Sequence, residues 1–116
     1  MSQRLRRVES LAREVLGELI SALKDPRVGF ATVTAVRVSA DLRYARVLIG
    51  VLGDEEEQQR TMDGLDSAKP FLRAELSRQM RLRYSPELTF ELDRGAETAE
   101  RVETILKRVR AEDAES

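Results

Sequence analysis

The residues of this chain best equipped for chemistry are its arginines. Only Lys24, Lys69 and Lys107 are lysines, and every other cationic side chain is arginine. A guanidinium offers a planar fork of donors that can grip two phosphate oxygens at once, where an ammonium is a compact point charge. The candidates come in groups: Arg4, Arg6, Arg7 and Arg13, then Lys24 and Arg27, then Arg43 and Arg46, then Lys69, Arg73, Arg78, Arg81 and Arg83. With about 100° of rotation per helical residue, Lys69, Arg73 and Arg81 fall toward one side, a stripe able to track a phosphate backbone. Any single arginine also fits a solvated helix face laced with carboxylates such as Glu75; as a set they favour RNA. The net charge of -1 conceals a segregation, because residues 1–53 carry nine Lys or Arg against five acids and residues 54–66 carry one against six. A polyanion therefore has a preferred side to approach.

Other chemistries find little support. Histidine and cysteine are both absent, which removes the usual general base, the thiolate nucleophile and the usual ligands of transition metals. Glu91 and Asp93, two apart on a strand, are a weak candidate for magnesium, and the consecutive acids at 54–57 fan outward around a helix start. No phosphate loop and no nucleophile beside a base accompany them, so neither an enzyme nor a cofactor or metal is expected. No apolar run approaches the roughly 18 residues of a membrane span, and the basic start lacks an apolar signal core. A cytoplasmic, monomeric protein with no membrane partner and no small-molecule substrate is expected.

The aromatic set is Phe30, Tyr44, Phe71, Tyr84 and Phe90. Phe71 and Phe90 occupy core positions by periodicity, leaving Tyr44 and Tyr84 as the candidate stacking platforms, each of which fits a structural role better, so RNA is expected to be read by shape and backbone more than by splayed bases. About five neutralised phosphates would give a salt slope near -3.5 to -4.5 on logarithmic axes.

These side chains need elements to hold them. Leu5, Val8, Leu11, Ala12, Val15, Leu16, Leu19, Ile20 and Leu23 recur at three- and four-residue spacing and predict a helix over 3–23, stopped before Pro26. A strand follows over 31–39. In the next strand Ala45, Val47, Ile49 and Val51 share a core face while Tyr44, Arg46 and Leu48 share the other. Residues 40–42 make a short hairpin connection, so the two strands are antiparallel neighbours, closed by Gly50 and Gly53. Asp54, with Glu57 three residues on, reads as a helix cap. That helix runs through Met62 and Leu65 to about Ala68, and Pro70 opens another that carries Phe71, Leu72, Leu76 and Met80 inward. It ends in closely spaced arginines; Pro86 then turns the chain into a strand in which Leu88, Phe90 and Leu92 alternate with Thr89, Glu91 and Asp93, placing a basic surface beside a sheet edge. Gly95 breaks the pattern, Val102, Ile105, Leu106 and Val109 mark a terminal amphipathic helix, and the tail from Ala111 frays. The expected fold is α+β: a three-stranded sheet covered on one face by helices, a helix-kink-helix near Ala68 to Pro70, and an extra C-terminal helix.

Arg7-Val8, Lys24-Asp25-Pro26-Arg27, Thr32-Val33-Thr34 with Val36, Asp41-Leu42 with Ala45 and Val47, Leu72-Arg73, Leu82-Arg83, and Pro86-Glu87-Leu88 with Phe90, taken in order, closely resemble ribosome-binding factor A, a family of bacterial factors for maturation of the small ribosomal subunit. The resemblance spans Arg4 to Asp93. It implies a type II KH-like fold in which the glycine-rich loop between two helices is replaced by a kink, commonly Ala-x-Gly. Here the triplet is Ala68-Lys69-Pro70, so proline takes the third place, and no Gly-x-x-Gly phosphate clamp of the kind used by ordinary KH domains stands between the helices. By the same resemblance, residues 1–95 form the ribosome-binding domain, and 96–116 are the C-terminal helix and tail, to which no role is carried. The implied function is non-enzymatic: binding the immature 30S subunit through 16S rRNA late in assembly, supporting processing of the rRNA 5′ end, then leaving, with a link to growth in the cold. The alternative is a protein-docking module that uses the exposed sheet face or the terminal helix.

Overall fold

The structure is a computed structural model that describes residues 3–95. Its elements are α1 (Gln3–Ser21), β1 (Ala31–Val38), β2 (Tyr44–Val51), α2 (Glu55–Ser67), α3 (Lys69–Met80) and β3 (Glu87–Leu92). This is the expected order through the third strand. The expected terminal helix, with Val102, Ile105, Leu106 and Val109, lies outside the described residues. Among the described residues no helix is long and apolar enough to cross a membrane.

The apolar stripe of α1 turns Ala12, Val15, Leu16 and Ile20 inward. The helix stops at Ser21, short of Leu23, because its last turn tightens: Leu23 N–H reaches Ile20 O at 3.1 Å, a three-residue bond. β1 and β2 pair antiparallel from Ala31↔Val51 to Val38↔Ala45, and β3 joins the other side of β2 in parallel, from Tyr44↔Glu87 to Ile49↔Leu92. A parallel neighbour needs a crossover, which α2 and α3 supply. Helices and sheet close on one core, in which Leu16, Leu65, Leu72 and Leu76 meet Val36, Val47, Ile49 and Leu88. Each such side chain contributes about 1.5–3 kcal/mol by leaving water.

The alternation in β1 shifts at a bulge between Val33 and Ala35. The extra residue, Thr34, lies with the open face of the sheet, where its hydroxyl donates to Asp93 Oδ2 at 2.6 Å across β2. Gly50 is inside β2, paired with Thr32, and does not close the hairpin. A Cβ there would come within 3.3 Å of Thr34 Cγ2, so the missing side chain makes room for that crossing.

Asp54 caps α2 as expected, its carboxylate accepting the Glu57 N–H at 2.8 Å. At the kink, Ala68 stays right-handed (φ -83°, ψ -4°) and its N–H is shared between Gly64 O and Leu65 O, both at 3.1 Å. Pro70 falls in the first turn of α3, where its missing N–H breaks little. The connection after α1 is latched onto α2 by buried Thr61, whose hydroxyl donates to Arg27 O at 3.3 Å and accepts from Gly29 N at 3.2 Å. Gly64 permits that approach: a Cβ on it would lie 2.7 Å from Val28 Cγ2.

One core assignment is corrected. Phe71 is 52% exposed while Phe90 is 9% exposed. Leu72 and Leu76, one turn apart, define the buried side of α3, and Phe71 stands about 100° away from Leu72.

Candidate nucleic-acid interface

The topology decides which cations meet. β1 runs toward the hairpin, and there Glu9 of α1 accepts the Val38 N–H at 2.9 Å, fixing the N-terminal half of α1 beside that end of the sheet. β3 starts at the same end, with Glu87 N–H donating to Arg43 O at 2.8 Å. The parallel pairing therefore brings the C-terminus of α3 and the loop after it to the hairpin. Arg4, Arg6 and Arg7 on the first turns of α1, Arg43, and Arg78, Arg81 and Arg83 gather around this end. At the opposite end, where β2 runs out, lie the carboxylates of residues 54–57 at the start of α2. The charge segregation along the sequence thus becomes a polarity in space.

Lys24 and Arg27 fall at the acidic end. Arg27 is gripped by Asp25, with Nε at 3.1 Å from Oδ1 and Nη2 at 2.7 Å from Oδ2, and this holds the Asp25 carboxyl below its ordinary value. Four other candidates are likewise occupied. Arg46 forks onto Glu91 at 3.2 and 2.7 Å on the open sheet face, lowering the Glu91 pKa. Arg78 does the same to Glu75 at 3.3 and 2.8 Å, lowering that carboxyl's pKa too. Lys69 lies 3.7 Å from Asp66 and 5.9 Å from the centre of the Phe90 ring. Arg73 donates through Nε to Pro86 O at 2.8 Å and through Nη2 to Ser85 O at 3.1 Å, with Glu87 at 3.7 Å. The expected stripe of Lys69, Arg73 and Arg81 is accordingly not one surface. Its first two members hold their own fold together, and Arg81 has left the helix, capping it in a left-handed conformation (φ 52°, ψ 45°).

Arg6, Arg7, Arg13, Arg43, Arg81 and Arg83 remain without a carboxylate within 4 Å among the described residues. Two of these converge on one ring: the guanidinium of Arg43 is 5.2 Å and that of Arg83 5.7 Å from the centre of Tyr84, which is 54% exposed. Two cations on an exposed aromatic make a site that offers charge to a phosphate and a flat surface to a base. Tyr44, 61% exposed on the open face of β2, is the other exposed tyrosine. Glu91 and Asp93 are both engaged, by Arg46 and by Thr34 with the Gly95 N–H.

Sequence reasoning passed over Arg37. It is exposed, is register-paired with Arg46, and among the described residues has no carboxylate partner. Its position between Val36 and Val38, two inward residues, is the signal that marks it as outward; the bulge at Thr34 obscures that signal.

The ribosome-binding factor A profile matches residues 4–106. Among solved structures, the crystal structure of ribosome-binding factor A from Thermus thermophilus is 33% identical with a TM-score of 0.69, over 76% of this chain and 94% of that one. A Thermotoga maritima protein solved by NMR in solution and named for the same factor is 36% identical with a TM-score of 0.73, over 82% and 92% of the two chains. A homology model of the Thermus thermophilus factor, fitted into an electron cryo-microscopy map of its complex with 30S, is 35% identical with a TM-score of 0.62, over 73% and 90%. The profile spans most of the chain and solved structures of the factor share its fold at 33% and 36% identity, so the chain belongs to the ribosome-binding factor A family.

Proposed function

We propose that this chain binds the immature small ribosomal subunit through 16S rRNA, with the hairpin end of the domain as its contact surface. The observation that carries this reading is the convergence of Arg43 and Arg83 on exposed Tyr84, near Arg6, Arg7 and Arg81, which have no carboxylate within 4 Å among the described residues. Its Thermus thermophilus relative, placed in a complex with 30S, supports the same partner. The chain acts as a monomer in the cytoplasm and catalyses nothing itself. It occupies rRNA late in assembly, supports maturation of the 5′ end, sustains this step in the cold, and departs. With no Gly-x-x-Gly between α2 and α3 and with proline in the kink, these helices contribute little to gripping phosphate; arginine forks do that work.

The test is co-sedimentation with mature and immature small subunits across a salt series. About five phosphate contacts predict a roughly 10²- to 10³-fold loss of affinity from 50 to 200 mM salt. An Arg43→Ala, Arg83→Ala variant with an unchanged melting temperature should bind more weakly and show a shallower slope. Absence of binding to either particle at low salt would sink this function. Binding that persists at high salt would instead favour a protein-docking role through Phe30 and Leu52, which are 83% and 67% exposed and joined by a Leu52 N–H to Phe30 O bond of 3.3 Å.

A further inference from the structure

A groove of about 440 Å³ runs between α1 and the outer edge of β1, with Arg6, Arg13 and Arg37 among its lining. β1 is an edge strand, since the sheet order is β1-β2-β3. Its outward backbone donors are therefore available on this side. The Val38 N–H is taken by Glu9 at 2.9 Å. The alternation of the antiparallel ladder points the Val36 N–H the same way, into the groove. Arg37 donates through Nη1 to the Val36 carbonyl at 3.4 Å, which keeps its guanidinium at the rim. Arg6 and Arg13 stand about two turns apart on α1 and face it from the other wall. Among the described residues none of the three has a carboxylate within 4 Å, whereas the single acid in the lining, Glu9, is engaged by backbone. Ser10 adds a hydroxyl.

We infer that this groove holds a single-stranded phosphodiester segment of RNA, with Arg6 and Arg13 on one side, and Arg37 and the Val36 N–H on the other, receiving its phosphate oxygens. The inference rests on the RNA-binding reading above and deepens it by naming a second site and the form of nucleic acid it takes. The volume suits about one nucleotide unit, within the usual few hundred Å³ of a ligand cleft. A duplex carries its phosphates on the outside of a stiff cylinder and would touch only the rim. The apolar floor formed by Ala35 and Val36 and the lack of an aromatic platform make this a backbone site, indifferent to base identity.

The experiment compares an unstructured RNA octanucleotide with an RNA hairpin duplex, both fluorescein-labelled, by anisotropy across a salt series. The proteins are the wild type, Arg13→Ala, Arg37→Ala, and Arg27→Ala as a charge-matched control at the acidic end, outside the groove. Small-subunit sedimentation is run beside them, and far-UV dichroism and melting establish that each variant is folded; Arg37→Lys provides a charge-retaining rescue. For the octanucleotide, each groove variant should bind several-fold more weakly with the slope of log K against log salt reduced by about 0.7, the value for one single-strand phosphate contact. Arg27→Ala should leave that slope unchanged, and duplex binding should respond little to any groove variant. Octanucleotide binding absent in the wild type, equal in the groove variants, or lost no more than duplex binding would overturn the inference. If the octanucleotide pattern holds but the wild type does not sediment with subunits, the groove stands and the assembly reading fails.

Discussion

The guanidinium of Arg73 is committed to backbone. It closes the loop between α3 and β3 by donating to Ser85 O and Pro86 O, and the loop replies with Ser85 Oγ donating to Arg73 O at 3.2 Å. Arg73→Ala removes the donor of the part-buried Pro86 carbonyl, while water can replace it at the exposed Ser85 carbonyl, and should cost about 1 kcal/mol in urea unfolding. Any fall in RNA binding by that variant must be corrected for this loss. Arg81 presents the opposite case. A side chain at φ 52° is strained where glycine would not be, so Arg81→Gly should stabilise the domain by about 1 kcal/mol in the same measurement. If Arg81 serves the basic end, the same variant should bind small subunits more weakly, a gain in stability accompanied by a loss of function.

At the scale of elements, the packing of the post-α1 connection on α2 positions the whole first layer. Thr61 and Gly64 form the seat: one supplies a hydroxyl to both sides of the connection, the other supplies space. Gly64→Ala would place a methyl 2.7 Å from Val28 Cγ2, and although alanine is the better helix former, overpacking should outweigh propensity and destabilise by about 1–3 kcal/mol. A rise in melting temperature for Gly64→Ala would show that the connection yields easily. The kink between α2 and α3 is legible in Ala68-Lys69-Pro70, because proline is tolerated only in a first turn. The seat on α2 was not legible, because nothing local to Thr61 or Gly64 announces a partner more than thirty residues away.

For the molecule as a whole, polarity is the property that bears on function. If the hairpin end meets RNA, Arg43→Ala with Arg83→Ala should weaken small-subunit binding by about tenfold or more at low salt, whereas Lys24→Ala with Arg27→Ala, at the acidic end, should change it less than about twofold, as sedimentation would show. Equal losses from the two pairs would mean that net charge alone governs binding. The sequence by itself determined the elements, the hairpin, the Asp54 cap, the kink and the family resemblance, since each depends on residues close together in the chain or on their order. Only the tertiary structure decided that β3 lies parallel to β2. That pairing carries the end of α3 to the hairpin and puts Arg83 beside Arg43. It also decided which arginines are neutralised, because Arg46 finds Glu91 and Arg73 finds the 85–86 carbonyls only after the sheet is assembled. Phe71 was misplaced for the same reason: periodicity gives the spacing of an apolar stripe, but the direction it faces is fixed by what packs against it. Charge availability is likewise a pairwise property of the folded chain, and a list of cations does not contain it.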